Sequence, residues 1–379
     1  MQALSKKGAF TLLAIACLTI MVGGVVAPGL PSIAAGLGVE KEASWLITLP
    51  SVGVVLFAPV VGRLIERYGA YRAICAGLFL YSLVGFCEIV FHGPVVVFAD
   101  RILLGATTAV VMASGTALIS EFYEGHARLA MIAKQGMAIE LGGVIFLAIG
   151  GMLATIGWQW PFSLYLIGWV CLIMVLLFVP AGRHGHAAEA VDMTSEAIPS
   201  KLKDAYLAAT SSLMIFFIGI IVLPLKFHAL GISELHTGYF LSFISLVAVL
   251  AASVMPRIIR LLHEHGTLIL AFLLYAGAHV VFAVSTAMPD FVIGGILMGT
   301  AFGFSVPLVN HMTIERSHPR QRGRNLAYLS MALFLGQLLT SFLAFLPGPP
   351  ETAFSFAIIL SLFVSIIFGG FRLMRESRA

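Results

Sequence analysis

Glu140 stands in the stretch KQGMAIELGGVIFLAIGGMLA, a carboxylate with long apolar runs around it in a chain of which only 11% is charged. An ionisable side chain inside a membrane-length apolar segment is costly, which makes it a candidate for function. It lies about nine residues into its segment, so at 1.5 Å per residue it sits ~13 Å from the nearer edge, close to the middle of a bilayer. Loss of hydration penalises the charged carboxylate, and that suits a group which takes up and releases a proton in each cycle. Arg101 is the matching cation. It enters its own segment from the opposite side, ~10 Å past Pro94, and its long side chain is expected to reach toward Glu140 across antiparallel helices. Asp100 is adjacent to Arg101 and therefore ~100° around the helix, where it either orients the arginine or lies near the interface. These three residues, Glu140, Arg101 and Asp100, are the proton-coupling candidates.

Other polar groups fall inside apolar stretches with weaker claims. Glu88, with His92 four positions on, reads as an interfacial polar residue. Lys226 and His228 follow Pro224 near a segment end, where the lysine is expected to snorkel to the surface. Asn310 and His311 lie beyond Pro307, and Gln337 stands in LFLGQLLTS; with Glu140, Arg101 and Lys226 they make up the expected substrate cavity. His279 reads as a core histidine.

The elements that must position these groups are membrane helices. The 379 residues are 60% hydrophobic, with a mean hydropathy of +1.02, far above a soluble domain. A bilayer core of about 30 Å needs a helix of ~20 apolar residues, and about twelve such stretches recur. They run approximately over 9–31, 44–65, 72–91, 95–120, 131–155, 160–180, 204–228, 237–262, 267–287, 289–314, 324–346 and 353–373. The fold class is an all-α membrane protein.

With the N-terminus inside, nearly every Lys and Arg outside a span falls on the cytoplasmic side, and only Lys41, Arg101 and Lys226 remain. That asymmetry places both chain ends in the cytoplasm of an inner, cytoplasmic membrane. The net charge of +4 follows from topology and carries no nucleic-acid reading. Cys17, Cys75, Cys87 and Cys171 lie in predicted spans without CxxC spacing, so neither a disulfide framework nor a zinc site is expected.

The only long polar stretch, AGRHGHAAEAVDMTSEAIPSKLK at 181–203, reads as a cytoplasmic linker between two six-helix bundles, 1–180 and 204–379. The halves echo one another: RILLGA at Arg101 to Ala106 is similar to GILMGT at Gly295 to Thr300. A six-plus-six duplication is a transporter architecture.

Between the second and third spans lies GRLIERYGAYR, Gly62 to Arg72. It resembles the loop signature Gly-x-Leu-x-Asp-Arg-x-Gly-Arg-x of the major facilitator superfamily, with Glu66 in place of the Asp and Ala70 in place of a basic residue. RILLGATTA from Arg101 is similar to the same family's fourth-helix signature Arg-x-x-x-Gly, and APGLPSIAAGLG resembles the end of its first helix. The chain is therefore identified as resembling this family, in particular its twelve-helix drug:proton antiporter branch. The resemblance implies that the helix-four arginine takes part in proton transfer and that Gly62, Glu66, Arg67, Gly69 and Arg72 form a gating loop holding the outward-facing state. Gly62 would allow close helix approach and Gly69 a tight turn, while Glu66, Arg67 and Arg72 would pair with charges and helix ends. The second-half counterpart, MPRIIRLLHEHG, has Arg260 where the acid belongs, so its latch is expected to be degenerate. The exporter signature Gly-x-x-x-Gly-Pro-x-x-Gly-Gly is matched at Gly142, Gly150 and Gly151, but Phe146 and Leu147 replace its central Gly-Pro.

Two transport readings follow. The first is a proton-coupled exporter of small amphipathic or drug-like molecules, working by alternating access; the second moves a hydrophilic anion such as an organic acid or a metal-chelating compound, using Arg101, Lys226 and His311 as ligands. An enzyme is not expected: HEH at His263 to His265 and HGH at His184 to His186 make no HExxH pattern, and no Walker GxxxxGK[ST] run supplies ATP drive. No cofactor or metal is expected, only a proton gradient. The expected partners are a small-molecule substrate, protons and the lipid bilayer, with the chain as a monomer.

Overall fold

The computed structural model describes residues 4–181, 202–318, 321–345 and 351–376. Among the described residues every regular element is helical: α1 (Lys6–Gly24), α2 (Leu30–Leu37), α3 (Trp45–Tyr68), α4 (Ala70–Cys87), α5 (Pro94–Phe122), α6 (Gly125–Ile156), α7 (Ile167–Phe178), α8 (Lys203–Ala229), α9 (Glu234–Val284), α10 (Met288–Glu315), α11 (Arg322–Leu339) and α12 (Glu351–Glu376), with short 3-10 turns between some of them. Among the described residues eleven helical segments are long and apolar enough to cross a membrane, and the 51-residue α9 is more than twice the length that one crossing needs. Its helical path breaks at His263, φ 58° and ψ 176°, so it serves as two spans and the count reaches the expected twelve.

The first span departs from expectation. The helix begins earlier, where the Ser5 hydroxyl accepts a hydrogen bond from the Gly8 N–H at 3.0 Å, and ends at Gly24 rather than running to residue 31. Pro28 and Pro31 withhold the amide protons that a continuous helix needs, so the chain turns and restarts as α2. Gly69 closes α3 at φ 83°, a left-handed conformation that lets α4 start at the next residue; this is the tight turn expected of the loop.

The chain divides into two compact units, residues 1–192 and 193–379. Residues 182–201 of the expected linker lie outside the described residues. In the first unit α3 packs on α5 and α1 on α6; in the second, α9 packs on α10 and α12, and α8 on α11. The sequence echo between the halves has a packing basis. Gly105 of α5 lies against the Pro50 carbonyl of α3, and Gly299 of α10 lies against the Ile244 carbonyl of α9. A side chain at either glycine would collide with backbone, so a small residue is required at the same place in both repeats.

Candidate functional site

The first unit buries a charged cluster where α4 turns back into α5. Glu88 caps the end of α4, a 3-10 turn and Gly93 reverse the chain, and Pro94 opens α5, so Arg101 returns alongside Glu88. The Arg101 Nε–H donates to Glu88 Oε1 at 2.7 Å, and neither side chain is exposed. Arg101 Nη1 donates to the Tyr165 hydroxyl at 3.3 Å, and that hydroxyl in turn donates to the Val22 carbonyl of α1 at 2.9 Å. Tyr165 is delivered by the 3-10 turn Trp160–Leu166, whose Phe162 ring lies 5.6 Å from the guanidinium carbon. Asp100 is buried next to Arg101, 8% exposed.

This arrangement corrects two expectations. Arg101 pairs with Glu88 and makes no ion pair with Glu140, and Glu88 is a fully buried partner rather than an interfacial residue. The reason is the short connection: the two residues stand at similar depth on adjacent antiparallel segments thirteen positions apart, whereas Glu140 belongs to α6. The signal was present in the sequence as an acid and a base flanking the Gly93-Pro94 turn at comparable distances.

Glu140 itself is partly exposed on α6 and has no ion-pair or hydrogen-bond partner among the described residues of its unit. The same helix rests on α1 through its glycines: a Cβ at Gly142 would come within 2.8 Å of Cys17 Cβ, and one at Gly150 within 2.8 Å of the Val25 carbonyl oxygen. The exporter-like signature is thus a packing surface in this chain, and α6 runs unbroken through Phe146 and Leu147.

The remaining candidates do not gather into one constellation within either unit. Lys226 does not snorkel: it is 6% exposed, its Nζ donates to the Phe282 and Ala283 carbonyls at 2.7 and 2.9 Å, and it lies 5.7 Å from the Phe291 ring centroid and 5.9 Å from that of Phe354. It caps the carboxyl end of α9. Asn310 Nδ2 donates to its own helix at the Val306 carbonyl, His311 is exposed, and Gln337 is partly exposed on α11. Of the three residues expected to bind an anionic substrate, Arg101 and Lys226 are engaged inside their units. His279 is fully buried, as expected of a core histidine, with its Nδ1 2.9 Å from the Tyr275 carbonyl.

In the loop 62–72, Glu66, Arg67 and Arg72 are exposed, and none of them forms an ion pair among the described residues of its unit. Arg67 lies over the Tyr68 ring at 5.4 Å. Within its own unit Gly62 makes no close helix approach, because a Cβ there would meet nothing within 4 Å.

The second unit contains a cluster that sequence reasoning missed. Asp204 in the first turn of α8 meets Arg316, which caps α10; Arg316 Nη1 donates to both Asp204 oxygens at 2.7 and 2.8 Å, and its Nη2 donates to Glu264. His265 Nε2 lies 3.1 Å from Asp204 Oδ2. Burial alone would disfavour the charged Arg316, but hydrogen bonds and charge from Asp204 and Glu264 outweigh it and hold the guanidinium pKa above its ordinary value. An acid at a helix N-terminus and a base at a C-terminus also match the helix dipoles. Glu264 and His265 of the second loop thus take part in an ion network, whereas the charges of the first loop form no ion pair among the described residues of its unit. The network's signal was the break in α9, which brings Glu264 and His265 to the cluster. Among the described residues no group of three or more His, Cys, Asp or Glu is placed to hold a metal ion.

Two compact units and, among the described residues, eleven apolar membrane-length helical segments, one of them broken at His263, define a multi-pass membrane protein. The chain belongs to the Major Facilitator Superfamily, whose family model matches residues 12–341. It is 27% identical over 140 residues to the quinolone resistance protein NorA of Staphylococcus aureus, a match covering 37% of this chain and 36% of that protein. It is 29% identical over 140 residues to multidrug resistance protein 1 of Bacillus subtilis, with the same coverage of 37% and 36%. The chain thus aligns with little more than a third of the length of these relatives. Among solved structures, a POT family transporter in complex with 5-aminolevulinic acid superposes with a TM-score of 0.76 at 11% identity, covering 96% of both chains. A D-xylose-proton symporter gives 0.74 at 14% identity, covering 95% of both chains, and the nucleoside transporter NupG gives 0.74 at 10%, covering 96% of this chain and 99% of that one. At these identities the likeness is one of fold.

Proposed function

We propose that this chain is a proton-coupled exporter of small amphipathic molecules, working by alternating access in a cytoplasmic membrane with both chain ends inside. The observation that carries the reading is Glu140, a carboxylate within a membrane span that forms no ion pair among the described residues of its unit. A lone negative group in an apolar span attracts either a proton or an organic cation, and exchange of one for the other is the elementary step of drug:proton antiport. The local similarity to NorA and to multidrug resistance protein 1 supports a drug-like substrate. The excess of Lys and Arg in the loops assigned to the inside supports the orientation. The glycine-packed contact of α6 with α1, which carries the exporter-like signature, supports the direction of transport.

The test is accumulation of a cationic dye in an efflux-deficient bacterium expressing either this chain or its Glu140→Gln variant, with and without a protonophore. Lower dye with the wild type, restored by the protonophore and absent in the variant, is the expected result. Wild-type efflux that survives the protonophore would remove proton coupling from the proposal, and undiminished uphill efflux in Glu140→Gln would remove Glu140 from it.

A further inference from the structure

The buried cluster around Arg101 does not balance its charge. Two carboxylates, Glu88 and Asp100, and one guanidinium sum to one negative charge, and all three residues are at least nine-tenths buried. Each also retains a buried polar atom without a hydrogen-bond partner: Glu88 Oε2, Asp100 Oδ2 and Arg101 Nη2. Asp100 is close enough to act electrostatically on Glu88, Arg101 and Tyr165 alike. The other groups facing the cluster add no charge. Tyr165 comes from the 3-10 turn, Tyr81 from α4, Cys171 from α7, the Phe162 ring lies over the guanidinium, and α1 offers the Val22 and Leu18 carbonyls.

An uncompensated charge in a dry, apolar site is expensive, and the simplest relief is one bound proton. We propose that Glu88 and Asp100 form a site for a single proton around Arg101, the proton residing on whichever carboxylate the guanidinium does not hold. In this structure Arg101 holds Glu88, so the proton belongs to Asp100. If the guanidinium turns to Asp100, the Asp100 O–H bond breaks, its proton passes to the Glu88 carboxylate that the guanidinium has left, and Arg101 neutralises the new Asp100 carboxylate. Glu88 is thereby a proton-binding residue in its own right, separate from Glu140. This inference deepens the proton-coupled reading above and rests on it only for its part in transport.

Infrared spectroscopy of the purified 379-residue chain in lipid nanodiscs tests the site without transport. At neutral pH the protonated-carboxyl C=O band is recorded in H2O and D2O for the wild type, Asp100→Asn, Glu88→Gln, the double variant and Glu140→Gln. Asp100→Asn removes the proton-bearing group. Glu88→Gln frees Arg101 to pair with an ionised Asp100. Each single change is therefore expected to remove the same one-carboxyl contribution, and the double change to remove no more. Persistence of the full band in either single variant, or loss of two contributions in the double, overturns the proposal. Should Glu88→Gln fail to fold, Asp100→Asn alone decides, since it keeps the side-chain shape. The contribution lost in Glu140→Gln is counted separately, so failure of the Glu140 reading and failure of this one are told apart.

Discussion

Arg101 and Glu88 form an ion pair at 2.7 Å with both side chains wholly removed from solvent, built across the hairpin between α4 and α5. A buried pair of this kind is not in itself a large source of stability, but stripping away one partner leaves a charge that nothing solvates, at a cost of about 3–5 kcal/mol.

Arg101→Met should therefore lower stability by about that amount, because Glu88 and Asp100 are then both left without a cation. Glu88→Gln should cost clearly less, since Asp100 remains next to the guanidinium. Thermal unfolding in detergent measures the difference, and equal losses would contradict the partner exchange.

On α6, Gly142→Leu and Gly150→Leu should each disrupt the contact with α1, because a Cβ alone already reaches Cys17 or the Val25 carbonyl at 2.8 Å. Overpacking of this kind costs about 1–3 kcal/mol or more. Gly62→Leu adds its side chain in open space, and its stability should stay within about 0.5 kcal/mol of wild type. The same unfolding assay checks all three.

If the loop 62–72 gates access, Glu66→Lys should change which side of the protein is open while leaving the fold intact, since Glu66 is exposed and makes no ion pair within its unit. Labelling of single cysteines from one side and then the other reports the change. An unaltered labelling pattern would remove the loop from the gating scheme.

Asp204→Asn should weaken the second unit's ion network by about 1.5–3 kcal/mol, the worth of a hydrogen bond to a charged group, because Arg316 and His265 both use that carboxylate. Hydrogen exchange at the amino end of α8 should rise. Protection unchanged from wild type would show that Glu264 alone suffices to hold Arg316.

Much of this molecule was legible from residue order. Eleven of the expected spans coincide with helices or with one arm of α9 to within several residues, because a length of ~20 apolar residues is a property of the chain itself. The turn at Gly69 was likewise readable, since a left-handed backbone favours glycine, whereas the echo between Gly105 and Gly299 gained its reason only from the backbone carbonyl that each lies against. The first span was missed at its end because hydropathy does not register missing amide protons at Pro28 and Pro31.

The partners of the buried charges were decided elsewhere. Depth along a helix can be counted from the sequence, but the direction in which a side chain points depends on how neighbouring helices are rotated and packed. Arg101 and Glu140 were matched by depth alone, whereas packing turned Arg101 toward Glu88 and Tyr165 and left Glu140 without a cation. Lys226 looked like a surface anchor until the end of α9 supplied two carbonyls for it to cap. Asp204, Glu264, His265 and Arg316 are scattered over more than a hundred positions, and only the break at His263 and the meeting of helix ends bring them together. Hydrophobic length is additive along a chain and so survives in one dimension; electrostatic pairing depends on distances of a few ångströms between segments, and those exist only once the helices are packed.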